Sequence, residues 1–318
     1  MSLPGYILES ELYRGRKRVV YRARREQDNA AVIVKTFVDE FPTPAESAGL
    51  RREFEILHTL TVRGVARAIA LESHRDRLHL VLEEAGDTTL KMLCVEGTLD
   101  LRTFFHIARQ LASILAEVHR AGIVHKDVNS NNVLVDRATG RVTLADFGIA
   151  SRARSEPQRP GLPHLIEGTL AYMSPEQTGR MNRDLDYRSD LYSLGVTLYE
   201  LLTGRLPFES ADPLELIHGH VARIPVSPAE RDQRIPTPVS DIVMRLLAKN
   251  ADDRYQSGEG VAADLARCHA QWESAGRIEP FSLALEDVRD RFVIPQRLYG
   301  READVERLLE TFERVAAG

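Results

Sequence analysis

Cysteine is scarce in this chain: two, Cys94 and Cys268, among 318 residues. That is too few for a disulfide framework and implies two free thiols in a reducing compartment. Long apolar runs are also missing, and none approaches the roughly 18 residues of a spanning helix. The opening Met1-Ser-Leu-Pro-Gly-Tyr lacks the charged-then-apolar build of a secretory leader, so the expected location is cytoplasmic, with no membrane segment. There is no surplus of positive charge; the formal net charge of −5 argues against a nucleic-acid partner. Internal repeats and low-complexity stretches are absent, and nothing matches the G-x-x-x-x-G-K-[ST] phosphate loop. What is present is ordinary for a globular protein, 43% apolar and 28% charged. The length suits one large two-lobed domain, or one domain plus a short extra segment.

The first 90 residues read mostly as strands. Val19-Val-Tyr-Arg-Ala alternates weakly, Ala31-Val-Ile-Val-Lys-Thr-Phe-Val is rich in β-branched residues, and Leu78-His-Leu-Val-Leu is a third apolar run. Between the last two, Leu50, Phe54, Leu57 and Leu60 recur at three- and four-residue steps, which predicts a helix over 46–60. From Leu101 the character changes. Helices are predicted from Leu101 to about Val118, over Leu191–Leu202 with Gly204 and Pro207 as stop signals, over Ser240–Ala248 with Ser240 and Asp241 as capping residues, and over Val261–Trp272. A β-rich first part followed by a helical second part predicts an α+β fold with segregated lobes. Ser151–Gly168, with three prolines, reads as a long functional loop. Ser274–Gln296 reads as a linker, and Arg301–Ala316 resumes helical periodicity.

The sharpest chemical signal is His125-Lys126-Asp127-Val128-Asn129-Ser130-Asn131-Asn132-Val133, followed by Asp146-Phe147-Gly148. Upstream, Lys35 ends a β-rich run and Glu53 sits on the next helix. Phosphoryl transfer needs this set: a Lys on phosphate oxygens, a Glu holding it, an Asp orienting the attacking hydroxyl, and an Asn and an Asp as hard oxygen ligands for Mg²⁺.

These residues resemble the protein-kinase superfamily in its Ser/Thr branch, from about Tyr6 to about Trp272. The resemblance implies a bilobal fold with a small β-rich N-lobe, residues 1–85, and a larger helical C-lobe, residues 86–273. It implies ATP and Mg²⁺ as cofactors and a protein substrate carrying Ser or Thr. Lys35 matches the phosphate-binding Lys and Glu53 its partner. Asp127 matches the catalytic Asp, with Asn132 and Asp146 the metal ligands. Gly15, Val20, Ile33, Leu82 (the gatekeeper), Glu83 and Ala85 match the nucleotide slot. Gly168-Thr169 through Pro175-Glu176 matches the end of the activation segment, Asp190 the brace of the catalytic loop, and Arg254 the partner of Glu176.

Four departures bear on function. Tyr13-Arg14-Gly15-Arg16-Lys17-Arg18 keeps one of the family's three glycines and carries four basic side chains. Asn129 replaces a Lys that stabilises the transferring phosphoryl group, a loss of ~10²–10³ in rate by analogy with oxyanion-hole deletions. One of Arg16, Lys17 or Arg18 is expected to supply that charge from the other side; the alternative is a solvated basic hairpin tip. Lys126 stands where Arg is common and lacks its bidentate fork. Ile33 stands where Ala is usual and narrows the adenine slot. These departures leave a rival reading, a regulatory module with weak or no turnover. His218-Gly219-His220 lacks the accompanying ligands of a metal site, His125 reads as a packing residue, and neither Cys has a neighbour that would activate it.

The tail from Ile294 resembles the entry segment of AAA-type signalling ATPases, so residues 297–318 read as the start of such a domain. A kinase-like head joined to it is similar to large bacterial proteins combining a Ser/Thr kinase, an ATPase and a sensor histidine kinase. The chain's own ATPase and histidine-kinase domains are therefore the expected partners.

Overall fold

A computed structural model of the chain describes residues 3–97, 99–152, 168–179 and 185–287. All lie in the first of the two units into which the chain divides, Met1–Val288. Most of the loop after Ser151, the second half of the expected linker, and the helix and ATPase opening expected beyond it fall outside the described residues.

The first lobe is a five-stranded antiparallel sheet with one helix. β1 (Tyr6–Arg14), β2 (Arg18–Arg25), β3 (Ala31–Phe37), β4 (Ala68–His74) and β5 (Arg77–Glu83) stand in the order β1-β2-β3-β5-β4. α1 (Pro44–Thr59) crosses between β3 and β4. Its start is well specified: Thr43 accepts from Glu46 N, Glu46 reaches back to Thr43 N, and Pro44 opens the first turn. The predicted 46–60 helix is this one. Side chains alternate between the sheet's faces. Val32 and Val34 join Leu3, Ala23 and Val81 in a small outer core, while Lys35 and Phe37 face α1 and the second lobe.

The second lobe begins with β6 (Thr88–Thr89), α2 (Leu90–Glu96) and α3 (Leu101–Arg120). The short strands β7 (Ile123–Val124), β8 (Val133–Val135), β9 (Val142–Leu144) and β10 (Ser151–Arg152) carry the loops that matter. Then come α4 (Arg188–Thr203), α5 (Pro213–Ala222), α6 (Pro228–Arg231), α7 (Thr237–Leu246) and α8 (Gly258–Ala275). The apolar stripe of α3, from Phe104 to Val118, packs on α4 and α8 in the main core. α4 is buried on all sides as far as Leu202 and ends on Gly204 in the left-handed conformation, φ 69°.

Two boundaries and three short helices differ from the sequence reading. The helix expected to open on Ser240 and Asp241 starts at Thr237, with Pro236 as its cap and Pro238 in its first turn. Prolines read as loop, yet the first turn needs no backbone donor. Ser240 is buried inside the helix and its hydroxyl accepts from Ala229 N. α2, α5 and α6 were not anticipated. The described part of the expected linker is irregular but anchored: Ser274 and Ala275 complete α8, Ala284 N donates to Asp264, and Asp287 accepts from Gln256 N and Ser257 Oγ, each at 2.6 Å.

Candidate active site

The cleft between the lobes collects the expected residues. On its roof, strand register fixes which side chains point inward. Val20 lies opposite Lys35, and Ile33 opposite Leu82, so these four share the cleft-facing side of the sheet. The hinge follows β5: Glu83 pairs with Arg67 at the surface (3.1 Å), Glu84 accepts from Arg22 Nε at 2.6 Å, and the Ala85 carbonyl accepts from Thr143 Oγ1 at 3.4 Å.

Lys35 Nζ lies 2.8 and 2.9 Å from the two Glu53 oxygens and 2.7 Å from Asp146 Oδ1. Burial works against its ammonium, but Asp146 and Glu53 outweigh it and raise its pKa. Burial also raises Glu53, offset in part by Lys35. Asp146 is likewise opposed by desolvation, yet Lys35 wins and its carboxyl falls to about 2. Its side chain is 46% exposed toward the cleft, unlike Glu53 at 1%. Gly148 makes room for the cluster: a Cβ there would stand 3.0 Å from Asp146 Oδ1 and 3.4 Å from Glu53 Oε2.

The floor is the loop between β7 and β8. Asp190, fully buried on α4, accepts from His125 N at 2.8 Å, Lys126 N at 2.7 Å and His119 Nε2 at 2.8 Å. Burial disfavours its charge, but these donors hold its pKa below the usual range. The grip lets Lys126 take the left-handed conformation, φ 69°, uncommon for a non-glycine residue. Asp146 does the same at φ 63°. Asp127 Oδ1 then accepts from Thr169 N at 2.8 Å and Oδ2 from Asn132 Nδ2 at 3.0 Å. Asn132 Nδ2 also donates to the Asp127 carbonyl at 2.9 Å, which leaves its Oδ1 as the outward-facing oxygen. Asn132 Oδ1 and the exposed Asp146 carboxylate are hard oxygen donors, few in number, and suit Mg²⁺ shared with phosphate oxygens.

Asn129 is spent internally. Its amide nitrogen donates to Asp127 O at 3.0 Å and Thr169 Oγ1 at 3.3 Å, and its Oδ1 accepts from Asn131 N at 3.0 Å. It is buried and ties the β7–β8 loop to Thr169. His125 packs edge-to-face on Phe147, with centroids 4.5 Å apart. Glu176 and Arg254 form a buried fork at 2.7 and 2.9 Å.

The basic turn separates into three fates. Gly15 N donates to Arg18 O, closing the hairpin at 2.9 Å, and Tyr13 lies beside Gly15. Arg16 is exposed, Lys17 pairs with Glu46 at 3.2 Å from the outside, and Arg18 turns inward over Phe37. The His218–His220 pair does not converge: His218 is exposed, while His220 is buried against the Tyr192 hydroxyl at 3.0 Å, and burial lowers its pKa to about 4. Burial raises both thiols, Cys94 and Cys268, to about 12.

One network escaped the sequence reading. Glu200 on α4 accepts from Lys91 Nζ and from the Tyr172 hydroxyl, each at 2.5 Å, and that hydroxyl also meets Ser130 Oγ at 2.8 Å. A lone acid within the apolar Leu198–Leu202 stretch was its signal, because a buried charge requires partners.

The protein kinase domain family matches residues 6–265. A probable serine/threonine-protein kinase of Streptomyces coelicolor is 34% identical over 270 residues, covering 83% of this chain and 40% of its own length. A probable serine/threonine-protein kinase of Clostridium perfringens is 32% identical over 252 residues, 78% of this chain and 36% of its own. A hybrid signal transduction histidine kinase of Dictyostelium discoideum is 30% identical over 307 residues, 69% of this chain and 9% of its own. The chain thus spans well under half the length of each of these relatives.

Proposed function

The chain belongs to the protein kinase domain family, and from that premise we propose that it transfers the γ-phosphoryl group of ATP to Ser or Thr hydroxyls of a protein. The observation that carries this reading is the convergence of Lys35, Glu53, Asp127, Asn132 and Asp146, each already held by partners. Val20, Ile33 and Leu82 would cover the adenine from the sheet, with the hinge at Glu83–Ala85 along its edge. Lys35, fixed by Glu53, would hold phosphate oxygens. Asp127, with both carboxylate oxygens already oriented, would accept the proton of the attacking hydroxyl. Mg²⁺, held by Asn132 and Asp146, would supply charge neutralisation between the phosphates. Asn129 would contribute by fixing Thr169 and Asp127 rather than by adding charge. The relatives named as serine/threonine-protein kinases support the choice of hydroxyl substrate.

The larger setting is part of the same proposal. The chain would serve as the cytoplasmic signalling head of a longer protein, with the segment after α8, residues 276–296, a linker, 297–318 the start of an ATPase domain, and its own downstream domains as partners. The test is transfer of label from γ-labelled ATP to a generic Ser/Thr substrate by wild type beside Asp127→Asn. Label transfer that persists undiminished in Asp127→Asn sinks the reading.

A further inference from the structure

Arg18 stands at the third glycine position of the family's phosphate loop, and its side chain is directed inward. Register sets that direction: Arg18 lies opposite Phe37, and Val20 opposite Lys35, so all four share the cleft-facing side of the sheet. The guanidinium rests 4.4 Å from the centroid of the Phe37 ring. Its Nη2 donates to the Glu46 carbonyl at 3.2 Å, in the first turn of α1. Its Nη1 is buried with no hydrogen-bond partner among the described residues. Burial works against the guanidinium's charge, and the carboxylates that oppose this most are Glu53 and Asp146. The Lys35–Glu53–Asp146 group holds one positive and two negative charges, so a second cation beside it is electrostatically favoured. A glycine could make none of these contacts. Arg16 and Lys17, on the same turn, face solvent.

We propose that Arg18 is a positioning residue that straps the β1–β2 hairpin to α1 and thereby holds Glu53 against Lys35. The proposal rests on the kinase reading of that ion pair. α1 carries Glu53, and its first turn is gripped from the roof by a cation that also feels the Glu53 charge. The inward seat of α1 is then favoured in the resting chain, before any ligand or modification acts. The buried Nη1 is compensated by the aromatic face and the carboxylate field rather than by a neighbouring oxygen. The lost glycine flexibility is exchanged for a fixed helix.

The experiment compares Arg18→Gly, which restores the family's glycine, with Arg18→Lys, Arg16→Ala and Glu53→Gln in the full chain. Arg18→Gly is expected to lower kcat ~10-fold with a smaller change in the KM for ATP, the signature of lost transition-state positioning. Amide hydrogen exchange across residues 44–59, read without nucleotide, should speed up in the same variant. Arg18→Lys should recover part of both effects, since it keeps a cation over Phe37. Arg16→Ala should change neither. In the Glu53→Gln background Arg18→Gly should add little, because the two act through one contact. Unchanged exchange over 44–59 in Arg18→Gly overturns the strap. So does a raised KM for ATP with α1 undisturbed, which would make Arg18 a direct phosphate contact. Exchange is read without turnover, so a wild type that transfers no phosphate rejects the kinase reading while the strap is still decided.

Discussion

The floor of the cleft is fixed by buried hydrogen bonds from residues far along the chain, whereas the outer edge of the β1–β2 roof places its charged contacts as ion pairs at the surface. Asp190 reaches back to His125 and Lys126 from α4, and Thr169 reaches back to Asp127. The roof pairs Arg14 with Glu11, Arg24 with Glu9 and Arg25 with Asp28 at the surface. Exposed pairs of this kind contribute little, while a buried charge stripped of its partner is strongly destabilising. The floor therefore tolerates change poorly, and there the sequence keeps most of the family pattern, Lys126 and Asn129 excepted. Surface positions on the roof can change at small cost, and there two of the family's three glycines have gone.

The sharpest way to break this contrast is at Asp190. We predict that Asp190→Ala lowers stability by about 3–5 kcal/mol, as for one member of a buried pair, and abolishes transfer. Denaturant titration beside an activity assay checks it; a stable, active variant would mean that the floor is not braced from α4. Lys35→Met is predicted to separate the two quantities. Turnover should fall by at least ~10²–10³, as when a preorganised charge stabiliser is lost, with the fold largely intact. Near-normal turnover would remove Lys35 from the phosphate site.

Acid probes the same cluster. Asp146 titrates at about 2 against an ordinary 3.8. A depressed carboxyl contributes stability that is full above the unfolded value and lost as pH falls through the folded one. The melting-temperature gap between wild type and Asp146→Asn should therefore shrink as pH falls from about 4 to about 2. A constant gap would say that Lys35 does not hold Asp146 in solution. Gly148→Ala should leave stability nearly unchanged but reduce kcat ~10-fold, because a methyl at 3.0 Å displaces the Asp146 carboxylate. The smallest effect is expected on the roof: Arg14→Ala should give no resolvable shift in melting temperature. A clear shift there would erase the distinction between roof and floor.

Much of the candidate site was legible because its signals are local in sequence or sit at informative spacings. Asp127 and Asn132 share one loop, Asp146 follows an apolar strand, and Glu53 sits on a periodic helix. What could not be read was direction. Arg16, Lys17 and Arg18 are adjacent basic residues, and only strand pairing with β3 decides that Arg18 enters the interior. Asn129 similarly shows its type but not its partners, which come from Thr169, 40 residues on. α5 was hidden by its own composition, with Pro213 at its start and Gly219 between two histidines. Tertiary burial of Ile217 and His220 outweighs that weak intrinsic preference.

The buried carboxylate of Asp190 also has a consequence for the order in which the chain matures. α4 is enclosed on nearly every side, so it cannot settle until the helices around it have assembled. The β7–β8 loop has its unusual backbone shape at Lys126 where α4 presents Asp190 to the backbone. We therefore predict that competence to react comes late in folding. Refolding followed by intrinsic fluorescence and by label transfer should show activity lagging behind collapse, never preceding it.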